Sequence, residues 1–134
     1  MSMSDLIERL EAAGIPIDDL AKSAMIDIDP GHFTDYDLEV FWHDRPIPFL
    51  FTGFGATRTI SAPHMIATLL HHLEINEGQD IMLIGSKGGY LAAIIDRMVG
   101  EEGTVTIVEP HEEVRFHTED CLLYTSDAAD DTCC

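Results

Sequence analysis

A short apolar run that ends in glycines and then turns helical is the feature that most restricts what this chain can fold into. Ile81, Met82, Leu83 and Ile84 form a continuous apolar stretch of strand length, followed at once by Gly85-Ser86-Lys87-Gly88-Gly89. Such a run suits a strand buried on both faces of a parallel sheet. From Leu91 the period changes: Leu91, Ile94, Ile95, Met98 and Val99 recur at helical spacing until Gly100 stops them. Thr104 to Val108 then form a second, β-branched run that ends in Glu109. The three segments predict one β-α-β unit with parallel strands, and therefore an α/β fold.

The junctions of this unit have chemistry of their own. A glycine turn between a strand and a helix lets backbone approach a ligand closely and aims free N–H groups at it. An acid at the end of the next strand, here Glu109, can accept hydrogen bonds from ribose hydroxyls. Together they describe a nucleoside crevice at the carboxyl ends of the strands. Phosphate-binding loops fit less well, because Gly85 to Tyr90 lacks the Walker spacing and Lys87 occupies the second-glycine position of G-x-G-x-x-G. A tight structural turn with no ligand is the competing reading of the glycines, and Glu109 shifts the balance toward a site.

Upstream, Ser4 is placed to cap a first helix with Leu6, Ile7 and Leu10 on its apolar face, and Gly14 and Pro16 end it. A second helix follows an Asp18 cap with Leu20, Ala21, Ala24 and Met25, closed by Asp29-Pro30-Gly31. Residues 32–55 are rich in aromatics and prolines, which predicts extended segments and loops over a core. Pro63 in a first turn and Met65, Ile66, Leu69, Leu70 and Leu73 on one face predict a helix over about 62–73, with Ile60 and Met65 as a hydrophobic staple. Residues 1–56 thus read as accessory helices and a loop region, and 57–116 as the first part of a cofactor-binding domain.

Composition narrows the function. Acidic residues outnumber basic ones 25 to 7, for a formal charge of −18, and no basic stripe interrupts that field. Nucleic acid is therefore not an expected partner. No run approaches the roughly 18 to 20 apolar residues of a membrane span, which points to a cytoplasmic protein without a membrane partner. The cysteines, Cys121, Cys133 and Cys134, all lie in the last fourteen residues, and the histidines are scattered, so neither a disulfide framework nor a metal site is expected.

Two blocks carry a family resemblance. Thr59-Ile60-Ser61-Ala62-Pro63-His64-Met65, followed by a helix, a turn and Ile84-Gly85-Ser86-Lys87-Gly88-Gly89-Tyr90, resembles the protein-L-isoaspartate O-methyltransferase family, in which a T-I-S-[AQ]-P segment precedes the glycine loop. Asp44-Arg45-Pro46-Ile47-Pro48 looks like that family's D-x-P-L-P-I-G stretch. The resemblance runs from about Leu6 to Arg115 and implies a Rossmann-like class I methyltransferase fold preceded by accessory helices. It implies that S-adenosylmethionine is the cofactor and that isoaspartyl-containing proteins or peptides are the substrate, methylated on the free carboxylate by an enzyme that is monomeric when complete.

By the same resemblance Ser61 is the active-site serine. Thr59, Ile60 and His64 belong to the segment covering the cofactor, Gly85 and Gly89 to the glycine loop, and Glu109 is the ribose-binding acid. Two positions depart from the pattern: Leu83 stands where the family usually has an acid, and Lys87 replaces the middle glycine. Ser61 also reads as a helix cap, Lys87 as an exposed loop lysine or a partner for the cofactor's carboxylate, and His64 as first-turn surface. The alternatives to the isoaspartyl reaction are the same fold with another methyl acceptor and a noncatalytic nucleoside-binding homologue.

The family's sheet has seven strands, and the sequence offers two parallel ones before its character changes. Residues 117–134 read as a non-family tail resembling translated sequencing-adapter read-through, against the alternative of a genuine acidic tail. The resemblance thus implies a truncated fold. The expectation for such a fragment is marginal stability, aggregation and no activity of its own.

Overall fold

The computed structural model describes residues 1–53 and 55–123, and the side chain of Leu123 is not among what it describes. In chain order the elements are α1 (Met3–Ala12), α2 (Asp19–Asp27), α3 (Glu39–Trp42), β1 (Ile47–Phe51), β2 (Thr57–Ile60), α4 (Pro63–Leu73), β3 (Asp80–Ile84), α5 (Tyr90–Val99), β4 (Thr104–Val108) and α6 (Glu112–Leu123). Short 3-10 turns occupy Pro30–His32 and Lys87–Gly89. Among the described residues no helix is long and apolar enough to cross a membrane.

The expected β-α-β unit is present. β3 and β4 pair in parallel, Asp80 opposite Thr104 through Ile84 opposite Val108. Between them α5 turns Ala92, Ala93, Ile94, Ile95, Met98 and Val99 inward. Small residues set how closely its neighbour approaches: Ala21 and Ala24 of α2 are buried beside Met25, and an Arg97–Asp27 ion pair of 3.2 Å ties the outer edge of the two helices. Gly103 admits no side chain at all, because a Cβ there would stand 2.5 Å from that of Val99 and 2.6 Å from the Gln79 carbonyl oxygen.

β1 and β2 form an antiparallel hairpin with an irregular register: Ile47 faces Ile60 and Pro48 faces Thr59, but Leu50 faces Arg58. Phe49 is the extra residue. A bulge of this kind bends the strand and re-aims a side chain. Here it turns the buried Phe49 ring onto the loop after β3, where Gly88 lies against it.

Several local expectations change. The first helix is capped by Ser2, not Ser4: the Ser2 hydroxyl accepts from the Asp5 amide at 3.2 Å, and the Asp5 carboxylate accepts from the Ser2 amide. The spacing Ser2-x-x-Asp5 closes this reciprocal box, which Ser4 cannot do. α4 has Ala62 at its cap, without a side-chain bond, so Ser61 is not the cap. Ile60 is buried and Met65 about half exposed, and both line one small cavity beside the start of α4.

Only part of the apolar face of α4 is covered. Ile66, Ala67 and Leu70 are buried, while Met65, Leu69 and Leu73 form an exposed stripe. β3 likewise is not buried on both faces: Met82 and Ile84 are 63% and 80% exposed, because α5 covers one face and nothing among the described residues covers the other. Periodicity identifies an apolar face but not whether a second element lies over it.

The core is a continuous set of buried side chains running from Met3 to Leu122. The boundary expected at 56/57 falls inside the β1–β2 hairpin, and that at 116/117 inside α6. α6 is anchored by buried Val114, Thr118 and Leu122. Residues 124–134 of the expected tail lie outside the described residues.

Candidate active site

β3 ends by handing its chain to a loop that runs through the left-handed region at Gly85 (φ 93°), Lys87 (φ 45°), Gly88 (φ 82°) and Gly89 (φ 95°). At Gly88 the demand for glycine is double. Its φ disfavours a side chain, and a Cβ would sit 3.1–3.2 Å from atoms of the Phe49 ring. Lys87 accepts the same backbone region despite its side chain, at a cost on the order of 1 kcal/mol.

The loop is tied to the end of β4 by a buried polar chain. Glu109 Oε1 accepts from the Ser86 amide at 2.8 Å and from the Ser86 hydroxyl at 2.9 Å, while Oε2 accepts from the His111 amide at 3.0 Å. Behind Ser86, Thr118 Oγ1 of α6 lies 2.8 Å from Ser86 Oγ and 2.9 Å from the Val114 carbonyl oxygen, its one proton serving either contact. Ser86 and Thr118 are both fully enclosed. Partial burial pushes the Glu109 carboxyl upward. The amides of Ser86 and His111, the Ser86 hydroxyl and the positive charge of Arg58 outweigh that, and hold it below the ordinary carboxylate range. A carboxylate offers about four acceptor positions, so one remains open on Oε2.

In front of Glu109 lies a cleft of about 400 Å³. Phe49, Thr57, Arg58 and Thr59 of the hairpin line it, together with Ile84, Gly85 and Lys87 around the glycine loop and Glu109, Pro110 and Val114 after β4. A second cavity of about 110 Å³ adjoins it, with Ile60, Met65, Ile66, Leu69 and Leu91 as its apolar lining and Ser61 and Lys87 as polar members. Lys87 belongs to both, and its ammonium lies 3.4 Å from Ser61 Oγ.

Of the residues singled out from sequence, Thr59, Gly85 and Glu109 meet in the cleft, and Ile60 and Ser61 meet in the adjoining cavity. His64 and Gly89 line neither. His64 stands on the first turn of α4, where its amide donates to Asp44 Oδ1 at 2.7 Å. Asp44 Oδ2 lies 2.9 Å from its ring Nδ1, close enough for electrostatic pairing but poorly aligned for a hydrogen bond. Gly89 is packed under Thr118, Phe33 and Leu122 and starts α5.

Sequence reasoning did not single out Ser86, Arg58 or Thr118. Ser86 had a readable signal, a hydroxyl between the strand and the glycine pair. Thr118 had none, being 32 residues from its partner. The one described cysteine, Cys121, sits 3.4 Å from His117 Nε2, but that nitrogen is engaged 2.9 Å from the Phe33 carbonyl oxygen. Burial, with the charges of Asp120 and Asp35, pushes the thiol up to about 11, so the pair is no nucleophile and base at neutral pH. No cluster of metal-ligating side chains occurs among the described residues.

A parallel β-α-β unit with a glycine loop facing a strand-end acid places this fold in the Rossmann-like, class I methyltransferase class. Two solved structures share it. One titled protein-L-isoaspartate O-methyltransferase superposes with a TM-score of 0.83 at 22% identity, covering 98% of this chain and 40% of its own. The other, a putative protein-L-isoaspartate O-methyltransferase from Plasmodium falciparum in complex with S-adenosyl-L-homocysteine, gives 0.80 at 23% identity, covering 99% and 62%.

The family profile described as protein-L-isoaspartate(D-aspartate) O-methyltransferase matches residues 1–127, and the chain belongs to that family. Curated relatives named protein-L-isoaspartate O-methyltransferase include that of Methanococcoides burtonii, 38% identical over 105 residues, and that of Methanosarcina mazei, 35% identical over 105 residues. Both alignments cover 78% of this chain, and 48% and 40% of the respective relatives, so the chain spans less than half the length of either.

Proposed function

We propose that this chain supplies the cofactor-binding and acceptor-positioning part of an enzyme that methylates the free carboxylate of L-isoaspartyl residues in damaged proteins, with S-adenosylmethionine as donor. The observation that carries the reading is the Glu109 carboxylate, which lines the cleft and is held ionised by Ser86 and His111 with one acceptor position left unused by the described residues. That donor and acceptor set fits the cofactor: an anionic acceptor for a ribose hydroxyl, a glycine wall at Gly85 where an added Cβ would meet open space, and apolar walls at Phe49, Ile84 and Val114 for an adenine ring.

When bound, S-adenosylmethionine supplies an electrophilic methyl group on a positively charged sulfur. Glu109 and the glycine loop would fix the nucleoside end, and Thr59 would contribute to the lining of the same cleft. An acceptor carboxylate with a pKa of about 4 is already ionised at neutral pH, so no general base is required. The chain's work is then to align the reacting atoms and keep water out. Ser61, whose hydroxyl faces the second cavity, would orient the acceptor as a hydrogen-bond donor and not attack as a nucleophile. The acidic surface and the lack of a basic stripe favour a protein acceptor over a nucleic acid.

Calorimetric titration with S-adenosylhomocysteine tests this reading. The chain is expected to bind it saturably, and Glu109→Ala is expected to weaken binding by about 10- to 100-fold, the worth of a hydrogen bond to a charged group. Absence of saturable binding, or an unchanged Kd in the variant, refutes the reading.

A further inference from the structure

We infer that Lys87, acting with Ser61, receives the acceptor's carboxylate and so selects a free carboxylate over a carboxamide at the same position. The inference rests on the methyl-transfer reading above and names the residue that would set its acceptor specificity.

Lys87 stands on the partition between the two cavities. Its ammonium donates to Ser61 Oγ at 3.4 Å, and Ser61 lines only the second cavity, so the charge is turned toward that side. The chain has seven lysines and arginines against 25 acids, yet no carboxylate among the described residues lies within ion-pairing distance of Lys87. Arg58, the other cation at the cleft, is electrostatically coupled to Glu109. Of the two cations lining the cleft, Lys87 is the one for which no carboxylate partner is seen among the described residues.

The hydrogen-bond count points the same way. An ammonium has three donors and a hydroxyl one donor with two acceptor positions. With one ammonium proton directed at Ser61 Oγ, the remaining ammonium protons and the Ser61 proton form a convergent set of donors. A carboxylate is the group that satisfies such a set, through charge-assisted bonds. A carboxamide can offer its carbonyl oxygen to the same donors but brings no negative charge to the ammonium, so its bonds lack the charge assistance that favours the carboxylate.

With one carboxylate oxygen held by Lys87 and Ser61, the other is free to attack. With S-adenosylmethionine bound, that oxygen would form the new C–O bond as the bond from methyl carbon to sulfur breaks, and the bonding pair would stay on sulfur. One negative and one positive charge disappear together, and no proton moves.

The test uses the full 134-residue chain saturated with S-adenosylhomocysteine. Fluorescence anisotropy would follow a labelled peptide containing one L-isoaspartyl residue, against the same peptide with that carboxylate converted to a carboxamide. Lys87→Met and Lys87→Gly are expected to weaken the carboxylate peptide by about tenfold or more and to remove the preference over the carboxamide. Lys87→Arg should keep the preference, and the Kd of S-adenosylhomocysteine should change less than that of the peptide in every variant. Glycine suits the left-handed backbone, so Lys87→Gly keeps the test valid if Lys87→Met misfolds. An unchanged preference in Lys87→Gly overturns the inference, as does a larger loss for S-adenosylhomocysteine than for the peptide, which would assign Lys87 to the cofactor's carboxylate. If the unmodified chain binds the nucleoside but not the peptide, or binds both peptides equally, this inference alone fails. If it does not bind the nucleoside, the proposed function fails first and takes the inference with it.

Discussion

On one side of the cleft, residues 85–89 are tied down from behind. Ser86 links the loop to Glu109 on β4 and to Thr118 on α6, and Gly88 is pressed against the Phe49 ring. On the other side, residues 59–64 are held by the β1–β2 pairing, the Asp44 carboxylate, the first turn of α4 and the burial of Ile60, Ala62 and Pro63, while the Ser61 hydroxyl has only a 3.4 Å contact to an exposed lysine. The difference is between a wall built before any ligand arrives and a wall whose polar groups still have unused capacity. Preorganisation suits the part that must present a fixed charge; spare donors suit the part that must recognise an incoming one.

The contrast breaks most readily at Gly88. Gly88→Ala must adopt φ 82° and displace the Phe49 ring, so thermal or urea unfolding should show a loss of about 1–3 kcal/mol, together with weaker S-adenosylhomocysteine binding. An unchanged midpoint would mean that the ring yields freely and the wall is not preformed. Ser86→Ala comes next. It removes the hydroxyl that bridges Thr118 and Glu109, and the expected cost is about 1–2 kcal/mol by the same measurement.

Acid sharpens the comparison further. The Glu109 carboxyl lies below its ordinary value in the folded chain, so ionised Glu109 adds stability that is complete above about pH 4.5 and is lost as pH falls through the depressed value. Melting curves of the parent chain and Glu109→Gln should therefore differ at neutral pH and converge in acid; a gap that persists there would assign the effect to packing instead of charge. The smallest effect is expected across the cleft. Ser61→Ala should move stability by no more than about 0.5 kcal/mol, because Ser61 caps nothing, while lowering peptide affinity. A larger loss on unfolding would return Ser61 to a structural role.

What could be read from the sequence follows the range of the interactions. The β3-α5-β4 unit was legible because its signals are local: an apolar run, a glycine stop, a 3.6-residue period and a β-branched run. Glu109 and Gly85 were legible for the same reason, as the acid and the glycine that end consecutive strands, whereas Thr59 was reached only through the family resemblance. The helix cap was displaced by two residues because Ser2 and Ser4 are equivalent by composition, and only the partner three residues on decides between them. The exposure of Met82, Ile84 and the Met65-Leu69-Leu73 stripe was not legible, since a period records which side is apolar and says nothing about what lies opposite. Thr118 belongs to the same class: its role depends on α6 crossing behind a loop more than thirty residues earlier.

The bulge at Phe49 makes the hairpin sensitive to chain length in a way that substitutions do not reveal. Deleting one residue from Pro48-Phe49-Leu50 would allow an unbroken ladder between β1 and β2, a comfortable outcome for the strands alone. It would also withdraw the aromatic ring from Gly88 and leave the cleft without that wall. A one-residue deletion there should thus cost ligand binding far more than it costs folding, whereas added length in the turn joining the two strands should be absorbed with little effect on either.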